Sequence, residues 1–334
     1  MQKKISLSGI KPTGTAHLGN YLGMIKPALA LAETYHALYF IADYHGLTTV
    51  HDGNEFRRLT YDLAATWLAL GMNPNEVTFF RQSDVPELFE LTWILACFTP
   101  KGMMNRAHAY KAAVDANITE GNDPDAGVNM GLYTYPILMA ADILLYGSHV
   151  VPVGQDQKQH IEMTRDMAQA FNNNYGEIFV IPDAVIQPEV AVIPGIDGRK
   201  MSKSYDNVLP IFAPSKALRK RVMSIVTDSR PMEEPKDPET CNVFNIYKFF
   251  ATAEEVAEMR ALYARGGFGY GQVKQAVFEV LERNFGEARS KYDAFVKDEA
   301  YLEKMLLEGA EKARAMGAPL MRKVRKAVGV RYER

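Results

Sequence analysis

The sequence contains few cysteines and no apolar run of membrane-spanning length. Its two cysteines, Cys97 and Cys241, lie far apart, with no second ligand at metal-binding spacing. This scarcity argues against zinc and iron–sulfur sites. No signal peptide precedes the first lysines. We therefore expect a cytoplasmic protein with no membrane partner.

The sequence also has little net charge. Its 38 basic and 40 acidic side chains give a formal charge of −2 at pH 7, and 47% of its residues are hydrophobic. These values exclude a strongly basic coat for nucleic acid, and we expect no DNA partner. The segment 311–334 is locally basic. Such a segment is usually only solvated, but it is also suited to contact phosphates of a nucleic acid.

Strand and helix patterns alternate in the first 86 residues. Short apolar strands are predicted at 3–9, 37–42 and 77–81, and an amphipathic helix at 55–70. This alternation is typical of half of a doubly wound parallel sheet, where ligands bind at the carboxyl ends of the strands. Polar residues 43–46 directly follow the second strand, at that edge.

The alternation stops after residue 86 and returns near residue 148. A helical insertion between two halves of the sheet explains the interruption, and the pattern beyond residue 214 is helical only. We predict an α/β fold with a Rossmann-like doubly wound parallel sheet and an all-helical C-terminal domain. The predicted boundaries are 1–86 and 148–213 for the sheet domain, 87–147 for the insertion and 214–334 for the C-terminal domain.

A loop rich in glycine, proline and threonine follows the first strand and leads into a predicted helix. Its sequence, at 8–20, is Ser-Gly-Ile-Lys-Pro-Thr-Gly-Thr-Ala-His-Leu-Gly-Asn. Such a turn directs backbone N–H groups and the positive end of a helix at one point, which suits an anion. It matches neither the Walker loop nor the dinucleotide-binding fingerprint. On these residues alone, an ordinary strand-to-helix turn is equally compatible.

A second motif, Lys-Met-Ser-Lys-Ser at 200–204, lies nearly two hundred residues later. Together with His-Leu-Gly-Asn at 17–20, it resembles the two signatures of class I aminoacyl-tRNA synthetases, in the same order. The resemblance implies that both motifs bind ATP. It also implies that Lys200 and Lys203 stabilise the pyrophosphate as the bond to it breaks. Mg²⁺ is expected as a cofactor with the ATP, and no protein side chain is expected to ligate it.

A carboxylate interrupts an otherwise apolar helix predicted over 135–146, with Pro136 near its start, where proline is tolerated. Tyr135, Met139, Asp142 and Tyr146 are spaced so that they share one face. Burial of Asp142 without a partner would cost several kcal/mol, so this carboxylate needs a donor. That donor is either a partner within the core or a ligand. An indole N–H, which can only donate, suits a fixed carboxylate.

This helix and the segment Val-Pro-Val-Gly-Gln-Asp-Gln-Lys-Gln-His at 151–160 resemble the bacterial tryptophanyl-tRNA synthetases. The resemblance covers essentially the whole chain, and it implies that Asp142 binds the indole nitrogen of L-tryptophan. It also implies a homodimer that charges tRNA(Trp). The insertion would then hold the dimer interface and part of the tryptophan pocket, and the C-terminal domain would bind the anticodon.

The same resemblance assigns the remaining site residues. The tryptophan-binding set is Leu7, His45, Tyr135, Met139, Asp142, Val151, Val153 and Gln157. The ATP-binding set is Lys11, Pro12, Thr13, His17, Gly19, Asn20, Gly154, Gln155, Asp156, Val192, Lys200, Met201, Ser202, Lys203 and Ser204. The catalytic set is Lys200, Lys203 and Lys111. For Lys111, an ordinary solvated lysine is the alternative.

The sequence departs from the common bacterial pattern at four of these positions. Lys11 replaces a usual glutamine, Leu7 a frequent phenylalanine, His17 a frequent threonine, and Gln155 a common glutamate. The cation of Lys11 would lie near the tryptophan carboxylate or the phosphates, and its role is open. Leu7 keeps the pocket floor apolar.

The expected reaction has two steps. The tryptophan carboxylate attacks the α-phosphate of ATP and expels pyrophosphate, and the 3′-terminal adenosine of the tRNA then attacks the adenylate. Three alternatives stay open. One is a tyrosyl-tRNA synthetase, whose site needs a pair of groups for the phenol hydroxyl. The others are a nucleotide-binding regulator that has lost tRNA charging, and a nucleotidyltransferase with a related loop.

Overall fold

The computed structural model describes residues 3–153, 157–186 and 193–330. Within these ranges, one parallel sheet of five strands has the order β3-β2-β1-β4-β5. The strands are β1 Ile5–Ile10, β2 His36–Ile41, β3 Thr78–Arg81, β4 Val150–Val153 and β5 Asp183–Ile186. The strand order reverses direction at β1, which creates a ligand-binding crevice at the carboxyl ends of the strands. The predicted doubly wound sheet is confirmed.

Helices cover both faces of this sheet and form the C-terminal part of the chain. They are α1 Leu18–Asn20, α2 Lys26–Leu31, α3 Asp43–Gly46, α4 Gly53–Ala69, α5 Glu87–Ala96, α6 Lys101–Met104, α7 His108–Thr119, α8 Met130–Leu145, α9 Lys158–Tyr175, α10 Ser215–Met223, α11 Asn242–Tyr247, α12 Ala253–Arg265, α13 Tyr270–Phe295 and α14 Glu299–Val328. Tyr21–Ile25 forms a π-helical turn, and Gln82–Asp84 and Lys203–Tyr205 form 3₁₀ turns. None of the described helices combines the length and the hydrophobicity that a membrane-spanning segment requires.

Apolar periodicity accounts for the central elements. Residues 37–41 of β2 are all buried, as expected for a parallel strand covered on both faces. The predicted helix at 55–70 is α4, and the Asp52 side chain caps it by accepting the N–H of Glu55 at 2.8 Å.

The helix that carries Asp142 begins earlier than predicted. α8 starts at Met130, where the Asn129 side chain accepts the N–H of Leu132 at 2.8 Å. Pro136 therefore lies inside the helix and not near its start. The prediction was wrong because it used the proline as the start signal, whereas the capping asparagine marks the first turn.

The insertion is helical, as predicted, and α5 packs against α8. Helices α10 and α11 pack on α13 and share a second hydrophobic core with residues of the loop after β1. The last helix, α14, instead crosses the edge of the sheet at β3. The two backbones touch there, because a Cβ at Gly309 would lie 1.7 Å from the carbonyl oxygen of Phe79. The domain boundaries stay a prediction.

The basic segment at the end of the chain is partly neutralised by the protein itself. Arg314 donates to Glu87 at 3.0 Å, and Arg325 donates to Glu90 at 2.6 Å. Both acceptors belong to α5. These two arginines therefore anchor α14 on the insertion and are not free to contact phosphates.

Candidate functional site

Asp142 lies at the carboxyl edge of the sheet and is only 2% exposed. Gln82, which follows β3, donates from Nε2 to both carboxylate oxygens of Asp142, at 2.8 and 2.9 Å. Nε2 of His45, in α3 after β2, lies 3.0 Å from Oδ2. We call these three residues the Asp142 cluster. The carboxylate thus has partners in the core, but they use three of its about four acceptor positions, so it can still accept another donor.

The protonation of Asp142 depends on a balance between burial and hydrogen bonding. Burial raises the pKa of this carboxyl above its ordinary value, and the hydrogen bonds from His45 and Gln82 act in the opposite direction. Donors to the charged form favour that form. His45 and Gln82 thus favour the ionised form of Asp142, which accepts hydrogen bonds, against the effect of burial.

Sequence reasoning missed Gln82. Its position directly after β3, at the edge where ligands bind, was the available signal. His45, a member of the predicted tryptophan-binding set, also contacts Asp142, through its Nε2.

Other residues of the predicted tryptophan-binding set lie near the same edge. The first hydrophobic core lies between the sheet and helices α5, α8 and α9. Leu7 and Val151 are buried in it, and Met139 packs against it. The hydroxyl of Tyr135 lies 2.8 Å from Nε2 of His160. Gln157 is half-buried directly before α9. The side chain of Val153 lies outside the described residues.

Lys11 connects this region with the loop after β1. Its amino group lies 5.4 Å from the centre of the Tyr135 ring, within the range of a cation–π contact. Burial lowers the pKa of Lys11. The lysine that replaces the usual glutamine is therefore close to Tyr135 of the tryptophan-binding set.

A pocket of about 470 Å³ opens where the two sequence motifs meet. We call it the Lys203 pocket, and its lining residues are Thr13, His17, Gly19, Asn20, Leu22, Gly23, Ile193, Lys200, Met201, Ser202 and Lys203. Backbone hydrogen bonds join the two chain segments: Leu18 donates to Leu209 at 3.0 Å, and Ile211 donates to Ala16 at 3.2 Å. The motifs predicted to bind ATP are thus brought together.

His17 closes the first turn of α1 on one side of this pocket. Its Nδ1 accepts the N–H of Gly19 at 3.1 Å, and the Asn20 side chain accepts the N–H of His17 at 3.1 Å. The Gly19 N–H is therefore already bonded, although we expected it to be available for phosphates. Burial, and next the charge of Lys203, lower the pKa of His17 to about 4. The imidazole is thus neutral near neutral pH.

Lys203 lies over the loop after β1. A Cβ at Gly14, where φ is +120°, would lie 3.1 Å from the Lys203 amino group, so this position favours glycine. Packing around the amino group lowers the pKa of Lys203, and the nearby carboxylate of Asp62 raises it. Asp62 lies on α4 and accepts a hydrogen bond from Tyr292 of α13.

Asn207 fixes the loop that carries the second motif, and sequence reasoning missed it. Its side chain is buried; Oδ1 accepts the N–H of Ser202 at 2.7 Å, and Nδ2 donates to the Lys200 carbonyl at 3.0 Å. The hydroxyls of Ser202 and Ser204 lie 2.8 Å apart. These contacts hold the backbone while the side chains of Lys200 and Lys203 extend into the pocket lining.

Seven predicted ATP-binding residues are not in the lining of the Lys203 pocket: Lys11, Pro12 and Ser204, and four that the structure does not describe. Gly154, Gln155, Asp156 and Val192 lie outside the described residues. The catalytic candidate Lys111 is exposed on α7 and does not line the Lys203 pocket. Pro12 is buried, close to Gly46 of α3.

The chain is similar in sequence to known tRNA synthetases over nearly its whole length. The family model of class I tRNA synthetases (W and Y) matches residues 2–286. A tryptophan–tRNA ligase of Pseudomonas aeruginosa is 51% identical over 330 residues, which cover 97% of this chain and 73% of that protein. A tryptophan–tRNA ligase of Xanthomonas campestris pv. campestris is 50% identical over 329 residues, covering 97% and 76% of the two chains.

Solved structures show the same similarity. The tryptophanyl-tRNA synthetase from Campylobacter jejuni, crystallised with ADP and tryptophan, superposes with a TM-score of 0.91. It is 43% identical, and the match covers 98% of this chain and 100% of that one. A tyrosyl-tRNA synthetase from Archaeoglobus fulgidus, with a TM-score of 0.64 and 18% identity over 87% of this chain and 90% of that one, shares the fold.

Proposed function

Because the chain belongs to the tryptophan–tRNA ligase family of class I tRNA synthetases, we propose that the Asp142 cluster and the Lys203 pocket bind the two substrates of one reaction. The protein is a tryptophan–tRNA ligase. It activates L-tryptophan with ATP to tryptophanyl-adenylate and transfers the tryptophanyl group to the 3′-terminal adenosine of tRNA(Trp). One observation carries the assignment of the site: a buried acceptor carboxylate and a lysine-lined pocket lie along the edge of the same sheet.

The Asp142 cluster supplies the contact for the amino acid. The indole N–H is a donor only, and it would fill the acceptor capacity that Gln82 and His45 leave on Asp142. Leu7, Met139 and Val151 offer apolar surface for the ring. Lys11 and Tyr135 lie on the side toward the loop after β1, so the polar end of the substrate would face that loop.

The Lys203 pocket supplies positioning and charge. The tryptophan carboxylate attacks the α-phosphate, and the bond to pyrophosphate breaks as the new acyl-phosphate bond forms. Lys200 and Lys203 would stabilise the negative charge that moves onto the pyrophosphate. His17 is neutral near pH 7, because its pKa is lowered to about 4. Its ring nitrogen accepts the N–H of Gly19 and so stabilises the first turn of α1.

Mg²⁺ is expected to bind to the phosphates of ATP. Among the described residues, no group of three or more His, Cys, Asp and Glu side chains is placed to hold a metal ion. Mg²⁺ commonly binds through substrate phosphates and water, and its charge then neutralises phosphate oxygens. We therefore expect Mg²⁺ to enter with ATP and not to occupy a protein-built site.

An exposed apolar surface supports the predicted homodimer. Phe89 and Trp93, one turn apart on α5, are 50% and 73% exposed, and Met130 at the start of α8 is 69% exposed. Neighbouring exposed apolar side chains, such as Phe89 and Trp93, mark interaction sites. We propose that this face of the insertion is the subunit interface, and that the helices after residue 214 bind the anticodon of the tRNA.

The proposal is tested by exchange of labelled pyrophosphate into ATP. We expect exchange with tryptophan and almost none with tyrosine, followed by charging of tRNA(Trp) when tRNA is added. Exchange with tyrosine would indicate the tyrosyl enzyme instead. ATP binding without exchange would indicate the nucleotide-binding regulator, and nucleotidyl transfer to another acceptor would indicate the nucleotidyltransferase.

A further inference from the structure

Gln82 is buried in the Asp142 cluster, yet the proposed reaction gives it no contact with either substrate. It is 0% exposed, and its Nε2 donates to both oxygens of the Asp142 carboxylate. With Asp142 ionised, this orientation of the amide is the favoured one, because in the opposite orientation the carbonyl oxygen would face a carboxylate. Within the described residues, Oε1 has no hydrogen-bond donor. The side chain accepts this cost while its amide nitrogen donates to both oxygens of Asp142.

The surrounding structure holds Gln82 in place. Arg81, the preceding residue, donates to Asp84 at 2.9 Å and to Glu303 of α14 at 3.0 Å. α14 also touches the backbone of β3 at Gly309. Gln82 begins the 3₁₀ turn directly after β3. Its side chain therefore starts from a strand end that pairs with β2 and packs against α14.

The charged and titratable groups around Asp142 show why such a donor matters. His45 faces it from α3, and Tyr146 is the capping residue directly after α8, four positions beyond Asp142. The Tyr146 hydroxyl is buried without a hydrogen-bond partner among the described residues. Burial, and next the negative charges of Asp142 and of Glu87 in α5, raise the pKa of this hydroxyl. A protonated Asp142 would present an O–H in place of an acceptor. Gln82 disfavours that form because its amide nitrogen donates to both carboxylate oxygens.

We propose that Gln82 is a positioning residue that determines the choice of amino acid. Its amide fixes the plane of the Asp142 carboxylate and keeps both oxygens as acceptors, so the pocket selects a ring that carries an N–H. A ring of the same size without that N–H is rejected, because it would leave empty the acceptor position of Asp142 that Gln82 and His45 do not fill. This inference rests on the proposed function.

Two variants and one control test the inference. Gln82→Met removes the donor and keeps a similar volume, and Gln82→Glu keeps the shape but replaces the donor with a carboxyl group. Thr66→Val is the control, since Thr66 is also 0% exposed and its hydroxyl has no hydrogen-bond partner in the described chain. Pyrophosphate exchange gives KM for tryptophan, for ATP and for β-(benzothiophen-3-yl)alanine, in which sulfur replaces the ring N–H.

We expect Gln82→Met to raise KM for tryptophan about tenfold and to leave KM for ATP unchanged. The preference for tryptophan over the sulfur analogue should fall about tenfold as well. In Gln82→Glu, KM for tryptophan should be higher at alkaline pH than at mildly acidic pH, because a proton shared between the two carboxyl groups restores a donor. Thr66→Val should change none of these values.

A folded Gln82→Met protein with the original KM for tryptophan and the original preference over the analogue would overturn the inference. If thermal unfolding shows that this variant does not fold, Gln82→Glu decides, and a KM for tryptophan that does not vary with pH would count against the role. Failure of the proposed function would look different, because the unmodified protein would then show no tryptophan-dependent exchange.

Discussion

The Asp142 cluster and the Lys203 pocket lie along the same sheet, but their charged groups differ in burial and in hydrogen bonding. Asp142 is almost fully buried on the first hydrophobic core, and neighbouring side chains already bond to it. Lys200 and Lys203 extend from an exposed loop that rests on the second core. The buried carboxylate is oriented before a ligand arrives, whereas the lysines keep solvent access.

This difference follows from the chemistry of each region. Discrimination between similar rings needs a rigid acceptor whose hydrogen bonds are fixed in advance. Neutralisation of a departing pyrophosphate needs cations that can follow the charge as it moves. We therefore expect changes in the Asp142 cluster to alter affinity for the amino acid, and changes in the Lys203 pocket to alter the rate of the chemical step.

Removal of a pocket cation should have the largest effect. We expect Lys203→Ala to reduce the rate of pyrophosphate exchange about a thousandfold, because one charge that stabilises the transition state is lost. Tryptophan binding, measured by equilibrium dialysis, should be unchanged. Lys216→Ala, at an exposed lysine of α10, is the control. An unchanged exchange rate in Lys203→Ala would remove the loop from the mechanism.

Removal of the Asp142 carboxylate should weaken the binding of tryptophan. We expect Asp142→Ala to raise KM for tryptophan about a hundredfold, since the indole N–H and the Gln82 amide both lose their acceptor. KM for ATP should change far less. Asp62→Asn changes a second buried carboxylate, on α4, and should leave KM for tryptophan unchanged. Equal increases in both Michaelis constants for Asp142→Ala would show that the two regions are not separate.

His17 should make stability depend on pH at the Lys203 pocket. Burial and the charge of Lys203 lower its pKa from 6.5 to about 4. The unfolded chain therefore binds more protons in this range, and stability present above pH 6.5 is lost as the pH falls toward 4. His17→Asn keeps an acceptor that does not titrate. Thermal unfolding across this range should show a smaller loss for the variant, and equal losses would contradict the assignment.

The smallest effect is expected at the floor of the amino-acid pocket. Leu7→Tyr should not give efficient exchange with tyrosine, because one substitution rarely completes a pair of groups that binds a phenol hydroxyl. Exchange assays with both amino acids measure this directly. Efficient use of tyrosine by this variant would show that Leu7, and not the Asp142 cluster, sets the specificity.

The sequence predicts features that depend on local pattern and misses those that depend on distant contacts. The continuous apolar run of β2 and the amphipathic pattern of α4 gave both elements correctly. Gln82 and Asp142 are 60 residues apart, so no local pattern joins them. The position of α14 on β3 likewise depends on Gly309, a glycine within a helix whose partner is a backbone carbonyl of another element.

The two predicted motifs illustrate the same limit. Their sequences predicted that residues 17–20 and 200–204 belong to one site, and the structure brings both to one pocket. The pattern did not indicate that the Gly19 N–H is bonded to His17, or that Asn207 holds the second motif. These contacts arise from side chains whose positions only the folded chain defines.

A crystal structure of the protein with bound tryptophan tests the central claim most directly. We predict the indole nitrogen within hydrogen-bond distance of an Asp142 oxygen, with the Gln82 amide still bonded to the same carboxylate. A ring bound elsewhere, or an Asp142 that contacts only Gln82 and His45 while tryptophan is present, would contradict it.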